Sequence, residues 1–424
     1  MSLSFDSKNR RSFLRKLPVI LSLPMVGCQF MKDKNLVSHN NPITVLDKEV
    51  AFVNASTNAG YRPVPSEFVF TQYPRTPEIP EMMKVFYSDQ EERCTVGIEH
   101  LNGLGAVNEG VYREGKNIIQ IIASTPGTPD TGSGSPQYKN WYRISNDGGK
   151  TYSEFRLIIL EGHTWEEPMK AVKIGRNGYT MPFTCPIVKA SNGEILVPIN
   201  LHPWDEVNQK IYNPADAFLF GDSGVLVGKW TKDNKDIIWN FGDWLRIDHH
   251  LSTRGLFEPS ITELSPKGRF AMVLRGSNYK KPDLPGYTWL SFSDDYCRTW
   301  STPKPFTFSN GENFFTPASC STLLRSHKTG DLYWIGNLLE KNSYANHPRN
   351  PLVIGRVDEE NFGVIKESVV TIDSRHVDHE GENVELSNFK VMQHGHLDEI
   401  VVALSRRIKG KWADKASWYR IKLS

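Results

Sequence analysis

Residues 257–275 read Phe-Glu-Pro-Ser-Ile-Thr-Glu-Leu-Ser-Pro-Lys-Gly-Arg-Phe-Ala-Met-Val-Leu-Arg, and this stretch decides the fold. Two runs of strand-forming residues flank Ser265-Pro266-Lys267-Gly268, a turn signal, so the segment predicts a β-hairpin. A hairpin brings its far ends together, which places Glu258 and Arg275 at one open end. An acid and a base held there by a rigid scaffold look like half of a site.

The pattern recurs. Phe183–Ile187 leads through Ser191-Asn192-Gly193 to Ile195–Pro198. Phe315–Ser319 leads through His327-Lys328-Thr329-Gly330 to Leu332–Ile335, and Val384–Phe389 through Gly395-His396 to Ile400–Val402. Gly110–Tyr112 leads through Glu114-Gly115-Lys116 to Ile118-Ile119. Turns that recur at roughly 60–80 residues leave room for further strands in each repeat, the signature of a propeller. Two segments sharpen this. Ser145-Asn146-Asp147-Gly148-Gly149-Lys150-Thr151-Tyr152 and Ser293-Asp294-Asp295-Tyr296-Cys297-Arg298-Thr299-Trp300 match the Asp-box pattern Ser-x-Asp-x-Gly-x-Thr-Trp, the first with Tyr for Trp and the second with Cys297 for Gly. Such a box is a tight turn, with Asp accepting backbone N–H bonds and Gly taking a positive φ. Its role is structural.

No long stretch shows helical period. The predicted fold is all-β: a six-bladed propeller of four-stranded antiparallel sheets, with seven blades as the alternative. Glu67–Gln72 and Met83–Tyr87 supply part of one more blade. Ser417–Ile421 is placed to pair with an N-terminal strand and close the ring.

A chain of 424 residues with 39% hydrophobic content can build a large core. A net charge of +2 gives no electrostatic case for a nucleic acid or membrane partner. The N-terminus reads as an address. Arg10-Arg11 precede Phe13-Leu14 and a short apolar run, Leu17–Val26, too short to span a bilayer and similar to a twin-arginine export signal. Met25-Val26-Gly27-Cys28 resembles a bacterial lipobox, which implies lipid attachment at Cys28. The expected organisation is an export signal over 1–27, lipidated Cys28 and a tether over 28–45, and one propeller over 46–424. The expected location is an exported bacterial lipoprotein, facing the periplasm or the cell surface and held to the membrane by its lipid alone. Cys94, Cys185, Cys297 and Cys320 have no metal-ligand spacing and read as free thiols.

With Asp boxes, hairpin repeats and the Glu258/Arg275 pair together, residues from about 60 to the C-terminus resemble the sialidase superfamily. That resemblance implies three arginines clamping a substrate carboxylate, a nucleophilic Tyr polarised by a Glu, and an Asp acid/base. Glu258 through Arg275 matches the family's Glu–hairpin–Arg segment. Asn346-His347-Pro348-Arg349 resembles the segment carrying another clamp arginine, Arg349, and Tyr61-Arg62-Pro63-Val64-Pro65 offers Arg62 as the third. The nucleophile segment matches best at Leu386-Ser387-Asn388-Phe389, where Leu386 replaces the Tyr.

A clamp without that nucleophile predicts an enzyme that cleaves or dehydrates uronate-containing oligosaccharides by β-elimination, the arginines stabilising the developing enolate. Propeller-fold uronate lyases that use His and Tyr are a fold-level precedent. The alternative is a sialidase-like exo-glycosidase removing a terminal acidic sugar, with Glu258 as one carboxylate. A third reading is a non-catalytic glycan-binding lipoprotein. Candidate catalytic residues are His202, Glu258, His347 and Tyr344; candidate carboxylate ligands are Arg275, Arg349 and Arg62. His202 leaves its strand at the open end, with Trp204 beyond it, and His is the commonest acid/base near neutral pH. His100 is a further candidate base. Trp165 and Trp204 are candidates for stacking on a sugar. The loop with His376, Asp378 and His379 reads as mixed charge rather than a metal site. No cofactor or metal is expected, and the expected partner is an acidic oligosaccharide.

Overall fold

The computed structural model describes residues 43–53, 67–72, 82–88, 93–99, 106–124, 139–174, 176–177, 179–180, 186–393 and 399–423. Cys28, Arg62, His100 and Cys185 lie outside them. Among the described residues the regular structure is strand throughout, apart from the single 3-10 turn Lys366–Ser368, and no helix is long and apolar enough to cross a membrane.

The strands form antiparallel sheets in chain order. Glu67–Gln72, Met82–Ser88 and Arg93–Glu99 make the first. Ala106–Glu114, Asn117–Ser124, Lys139–Ser145 and Arg156–Leu157 make the second. The third is Val188–Lys189, Ile195–Leu201, Asp222–Trp230 and Ile237–Phe241, with Tyr179–Thr180 added at the end of Ile195–Leu201. The fourth is Phe257–Glu263, Phe270–Arg275, Thr288–Ser293 and Lys304–Pro305, and the fifth is built on Thr322–Arg325, Leu332–Asn337 and Leu352–Asp358. The last sheet joins the chain's two ends: Ile43–Val53 pairs with Lys411–Leu423, which pairs with Glu399–Ile408 and then Lys390–Gln393.

Strand period places the core. In Phe270–Arg275 the residues Phe270, Met272 and Leu274 pack toward the third sheet, while Ala271 and Val273 pack toward the fifth. Leu196 faces the fourth sheet, and its neighbours Ile195 and Val197 face the second. Leu332 and Trp334 join the fourth sheet, Tyr333 and Ile335 the last. Side chains alternate at period two, and here both faces are covered. That is why these inner strands read as continuous apolar runs rather than alternating ones. The core is therefore a series of layers between successive sheets, the packing of a β-propeller.

Phe257 pairs with Arg275 across the hairpin, so Glu258 and Arg275 share the open end, as the sequence predicts. Three hairpins start later than expected: the first strand of the third sheet's hairpin is Val188–Lys189, after the expected Phe183–Ile187. The first strand of the fifth sheet is Thr322–Arg325, not Phe315–Ser319, and that of the last is Lys390–Gln393, not Val384–Phe389. The skipped residues bond outside the ladder. Ala318 N–H donates to Ala345 O (2.6 Å), Glu385 N–H to Arg407 O (2.8 Å) and Leu386 N–H to Arg349 O (2.8 Å). Glu385 thereby forms one isolated antiparallel bridge with Arg407 of the strand Glu399–Ile408, while Ala318 and Leu386 bond to the segment that carries Ala345 and Arg349.

Both Asp boxes form as expected, with one hydrogen-bond network. Asp147 Oδ1 accepts from Ser145 Oγ (2.8 Å) and from the N–H groups of Lys150 and Thr151 (2.9 Å each), and Oδ2 accepts from Thr151 Oγ1 (2.7 Å). Asp295 repeats this with Ser293, Arg298 and Thr299. Where the first box has Gly148 and Gly149 in the left-handed region, the second has Tyr296 (φ 56°) and Cys297 (φ 66°). Cys297 is fully buried there, so its apolar contacts offset that strain. Asp295→Ala should lower stability by about 1–2 kcal/mol, read as a shifted urea midpoint, because it strips the turn's backbone donors of their acceptor.

Candidate functional site

The repeats set the site. Gly193, Gly268 and Gly330 close the turns of three successive hairpins with φ of 87°, 90° and 79°, and at the matching place further along each strand stand Asn200, Arg275 and Asn337. Asn200 Nδ2 donates to Ser223 Oγ (2.7 Å) and Leu256 O (3.4 Å), and its Oδ1 accepts Glu258 N–H (3.0 Å). Asn337 Nδ2 donates to Pro351 O (3.0 Å) and Leu386 O (3.1 Å). Each Asn latches its sheet to the next. Arg275 holds the equivalent place with a longer side chain. It donates to Glu258 Oε1 (2.9 Å) and Asn346 Oδ1 (3.2 Å).

The same latches fix a register. Leu256 and Leu386 both give their carbonyls to a latch Asn, and two residues later Glu258 (φ 50°) and Asn388 (φ 57°) share the left-handed conformation. Asn388 is thus the counterpart of Glu258. Leu386 is fully buried in the layer with Val402 and Tyr419, where an apolar side chain is what the packing requires.

Arg349 is buried. It donates to Glu385 Oε2 (3.1 Å), Ser387 Oγ (2.9 Å) and Ala318 O (2.8 Å), and its Nε lacks a partner. Glu385 is shared with Arg407 (2.9 Å). Burial lowers the Arg349 pKa, and the nearby Arg275 adds to the effect.

A further guanidinium joins them that the sequence reading missed. Arg254 follows the turn 248–253 and precedes Gly255 (φ 72°), where a Cβ would stand 2.1 Å from Gly221 O. That close approach fixes the backbone that presents Arg254. Its side chain lies near the rings of Phe218 (5.7 Å) and Phe257 (5.4 Å), with a long bond to Leu219 O (3.4 Å). Among the described residues it has no ion-pair partner. Burial, with Arg275 and Arg349 as repelling neighbours, pushes its pKa down to about 10. No motif marks it; the only cue is its place just before Glu258.

Among the described residues, Arg254, Arg275, Arg349 and Arg407 thus stand against two carboxylates, Glu258 and Glu385. Positive charge is in surplus, and it sits in a poorly solvated place where a bound carboxylate is held strongly. Glu258 Oε2 is buried without a partner.

His202 is fully buried, with Nδ1 3.2 Å from Phe220 O and its ring 5.9 Å from that of Phe257. With Nδ1–H donating to that carbonyl, the lone pair rests on Nε2, which makes no protein hydrogen bond among the described residues. Burial lowers its pKa; the Phe220 carbonyl opposes this and Arg254 adds to it. His347 is the second histidine held neutral by burial, against Glu385, and its Nδ1 lacks a partner. Tyr344 lies on the rim, half exposed. It stacks on Tyr279 (6.5 Å), and its hydroxyl accepts Lys280 N–H (3.4 Å). Cys320 sits beside Glu258 and accepts Asn388 N–H (3.3 Å). Burial, reinforced by Glu258, pushes its thiol up to about 11, so it is protonated at neutral pH and no nucleophile.

Other candidates fall elsewhere. Trp165 packs edge-on against Trp141 of the second sheet. His376 and His379 stack on each other beside Glu380, whose carboxylate is taken by Arg406. Asp248, His249 and His250 place three ligand atoms within 4.8 Å of one another on the turn before Arg254, a donor set of the kind that suits a transition metal.

The family model of the BNR repeat-like domain matches residues 129–398. No curated protein matches the chain. Among solved structures it resembles the sialidase of Trypanosoma rangeli in complex with 2,3-difluorosialic acid. Identity there is 12% and the TM-score 0.53, over 90% of this chain and 56% of that one. It also resembles the α-L-arabinanase of Penicillium chrysogenum with arabinobiose (14%, TM-score 0.53, 90% of this chain and 99% of that one). The haemagglutinin-neuraminidase of parainfluenza virus 5 is similar too (10%, TM-score 0.52, 91% and 96%). The chain spans little more than half of the trypanosomal sialidase, and at these identities the likeness speaks for the fold. With the matched model covering well over half its length, the chain belongs to the BNR repeat-like family, and its fold is the β-propeller of the structures it resembles.

Proposed function

We propose that the protein is a carbohydrate-active enzyme that grips the carboxylate of an acidic sugar at the open end of a six-bladed propeller, closed by the pairing of Ile43–Val53 with Lys411–Leu423. The observation that carries this is the surplus of guanidiniums around Arg254, Arg275 and Arg349, above all Arg254, which has no carboxylate of its own among the described residues. A bidentate carboxylate supplies what the three arginines lack.

Two reactions fit that grip. Elimination is favoured by His202: a neutral imidazole with a free Nε2 beside an arginine is what removing the proton next to a clamped carboxylate requires. The base takes the proton from the carbon bearing the carboxylate. The electron pair forms the new double bond, and the β-oxygen leaves with a proton. Hydrolysis is favoured by Glu258, whose free oxygen can serve a water or a leaving group, and by the superfamily's sialidases, one of which holds a difluorosialic acid. Mass spectrometry of products from uronate- and sialate-terminated oligosaccharides separates them. Elimination gives a conjugated unsaturated uronate that absorbs in the ultraviolet, and hydrolysis gives products that have gained water. Binding without any product refutes both and leaves a lectin.

If His202 is the base, its lowered pKa keeps it neutral below the ordinary imidazole value of about 6.5, so the acid limb of kcat/KM should lie under that value. His202→Gln should reduce the rate about 10²–10⁴-fold and abolish that limb. The same shift has a sign for stability. The unfolded chain takes up the proton first as pH falls, so this contribution is present above about pH 6.5 and is lost as pH drops through the folded-state pKa.

A further inference from the structure

A cavity of about 440 Å³ opens beside His202 and has a different character from the arginine cluster. Trp204 and Trp244 give it flat apolar walls, and Arg176, Arg246, Asp222 and Asn177 give it polar groups. Trp244 is fixed by its indole N–H, which donates to Lys170 O (2.9 Å), and by Phe241, whose ring centre is 4.4 Å away. Asp222 is buried and holds Arg246 by two edges, Nε (3.0 Å) and Nη2 (2.6 Å). The Arg246 side chain stays half exposed, and its Nη1 makes no protein hydrogen bond among the described residues. Arg176 is likewise paired with Glu206 (3.0 Å). Unlike the arginine cluster, this cavity has its charges matched.

Matched ion pairs, with an outer donor on Arg246, next to tryptophan faces, suit hydroxyl groups and C–H surfaces rather than an anion. The volume lies within the ~300–1,000 Å³ of small-ligand sites. We propose that this cavity is a subsite for a neutral sugar ring. It adjoins the clamp. Leu201 and Pro203 line it on either side of His202, and Asn200 links its wall to Glu258, donating to Asp222 O (3.4 Å) and accepting Glu258 N–H (3.0 Å). Resting on the carboxylate reading for the clamp, the substrate class becomes an oligosaccharide that joins an acidic sugar to a neutral one.

The subsite is tested apart from the clamp with neutral methyl hexosides and pentosides as probes, using tryptophan fluorescence and calorimetry. At least one neutral glycoside should bind the native protein and Arg275→Ala alike, and bind Trp204→Ala about tenfold more weakly, with Trp204→Phe restoring most of the affinity. Melting curves establish that the variants are folded. No binding by any neutral probe, or binding unchanged in Trp204→Ala and Trp244→Ala, overturns the subsite. Methyl glucuronide titrated against the same variants reports on the clamp. Its loss in Arg275→Ala but not in Trp204→Ala supports the acidic site whatever the neutral probes show, and its retention in Arg275→Ala refutes the clamp while leaving the neutral result standing.

Discussion

Arg275→Ala should reduce turnover of an acidic oligosaccharide by about 10²–10³-fold, the effect of removing a donor that stabilises charge developing at the reacting centre. It should also destabilise the fold by about 3 kcal/mol. Glu258 lies mostly buried against Arg275 at 2.9 Å, and truncating one member of such a pair strands the other. Arg275→Lys separates the two effects. The ammonium can neutralise Glu258 and recover part of the stability, but it cannot reach Glu258, Asn346 and a substrate carboxylate with one planar fork. Rates should therefore stay low while the urea midpoint recovers. Full activity in Arg275→Ala would remove the clamp from the account.

Arg254→Met should do the reverse for stability. Arg254 is buried beside two other cations and has no ion pair among the described residues, so an apolar side chain of similar length relieves repulsion and desolvation without stranding a carboxylate. The melting temperature should hold or rise. Affinity for an acidic sugar should fall at least tenfold, since a charge-assisted hydrogen bond is worth about 1.5–3 kcal/mol. A group kept at the expense of stability is what a binding site shows. A fall in melting temperature with unchanged affinity would make Arg254 a structural residue instead.

The fold was legible because its signals are local. Turn glycines, the two Asp boxes and strand runs sit within short windows, and the pairing of Ser417–Ile421 with an N-terminal strand was readable from its sequence. The propeller's two-sided packing explains why the inner strands showed no alternation. The site was legible only in part. Glu258 and Arg275 could be placed together because one hairpin joins them, and Arg349 by its resemblance to a family segment. Arg254 could not, since it is presented by a turn that packs through Gly255 against Gly221, a contact between distant parts of the chain. That Asn388 is the counterpart of Glu258 was not legible either, because the register is set by hydrogen bonds from Asn200 and Asn337 in neighbouring sheets. The cavity at Trp204 and Trp244 is likewise assembled from loops far apart in sequence.

The most direct test of the carboxylate grip compares an acidic glycan with its carboxyl-reduced counterpart, in which the carboxylate has become an alcohol and all else is unchanged. Calorimetric titration should give affinity for the acidic form about 100-fold above the reduced form, with most of that difference lost in Arg254→Met. Equal affinity for the two forms would contradict the account.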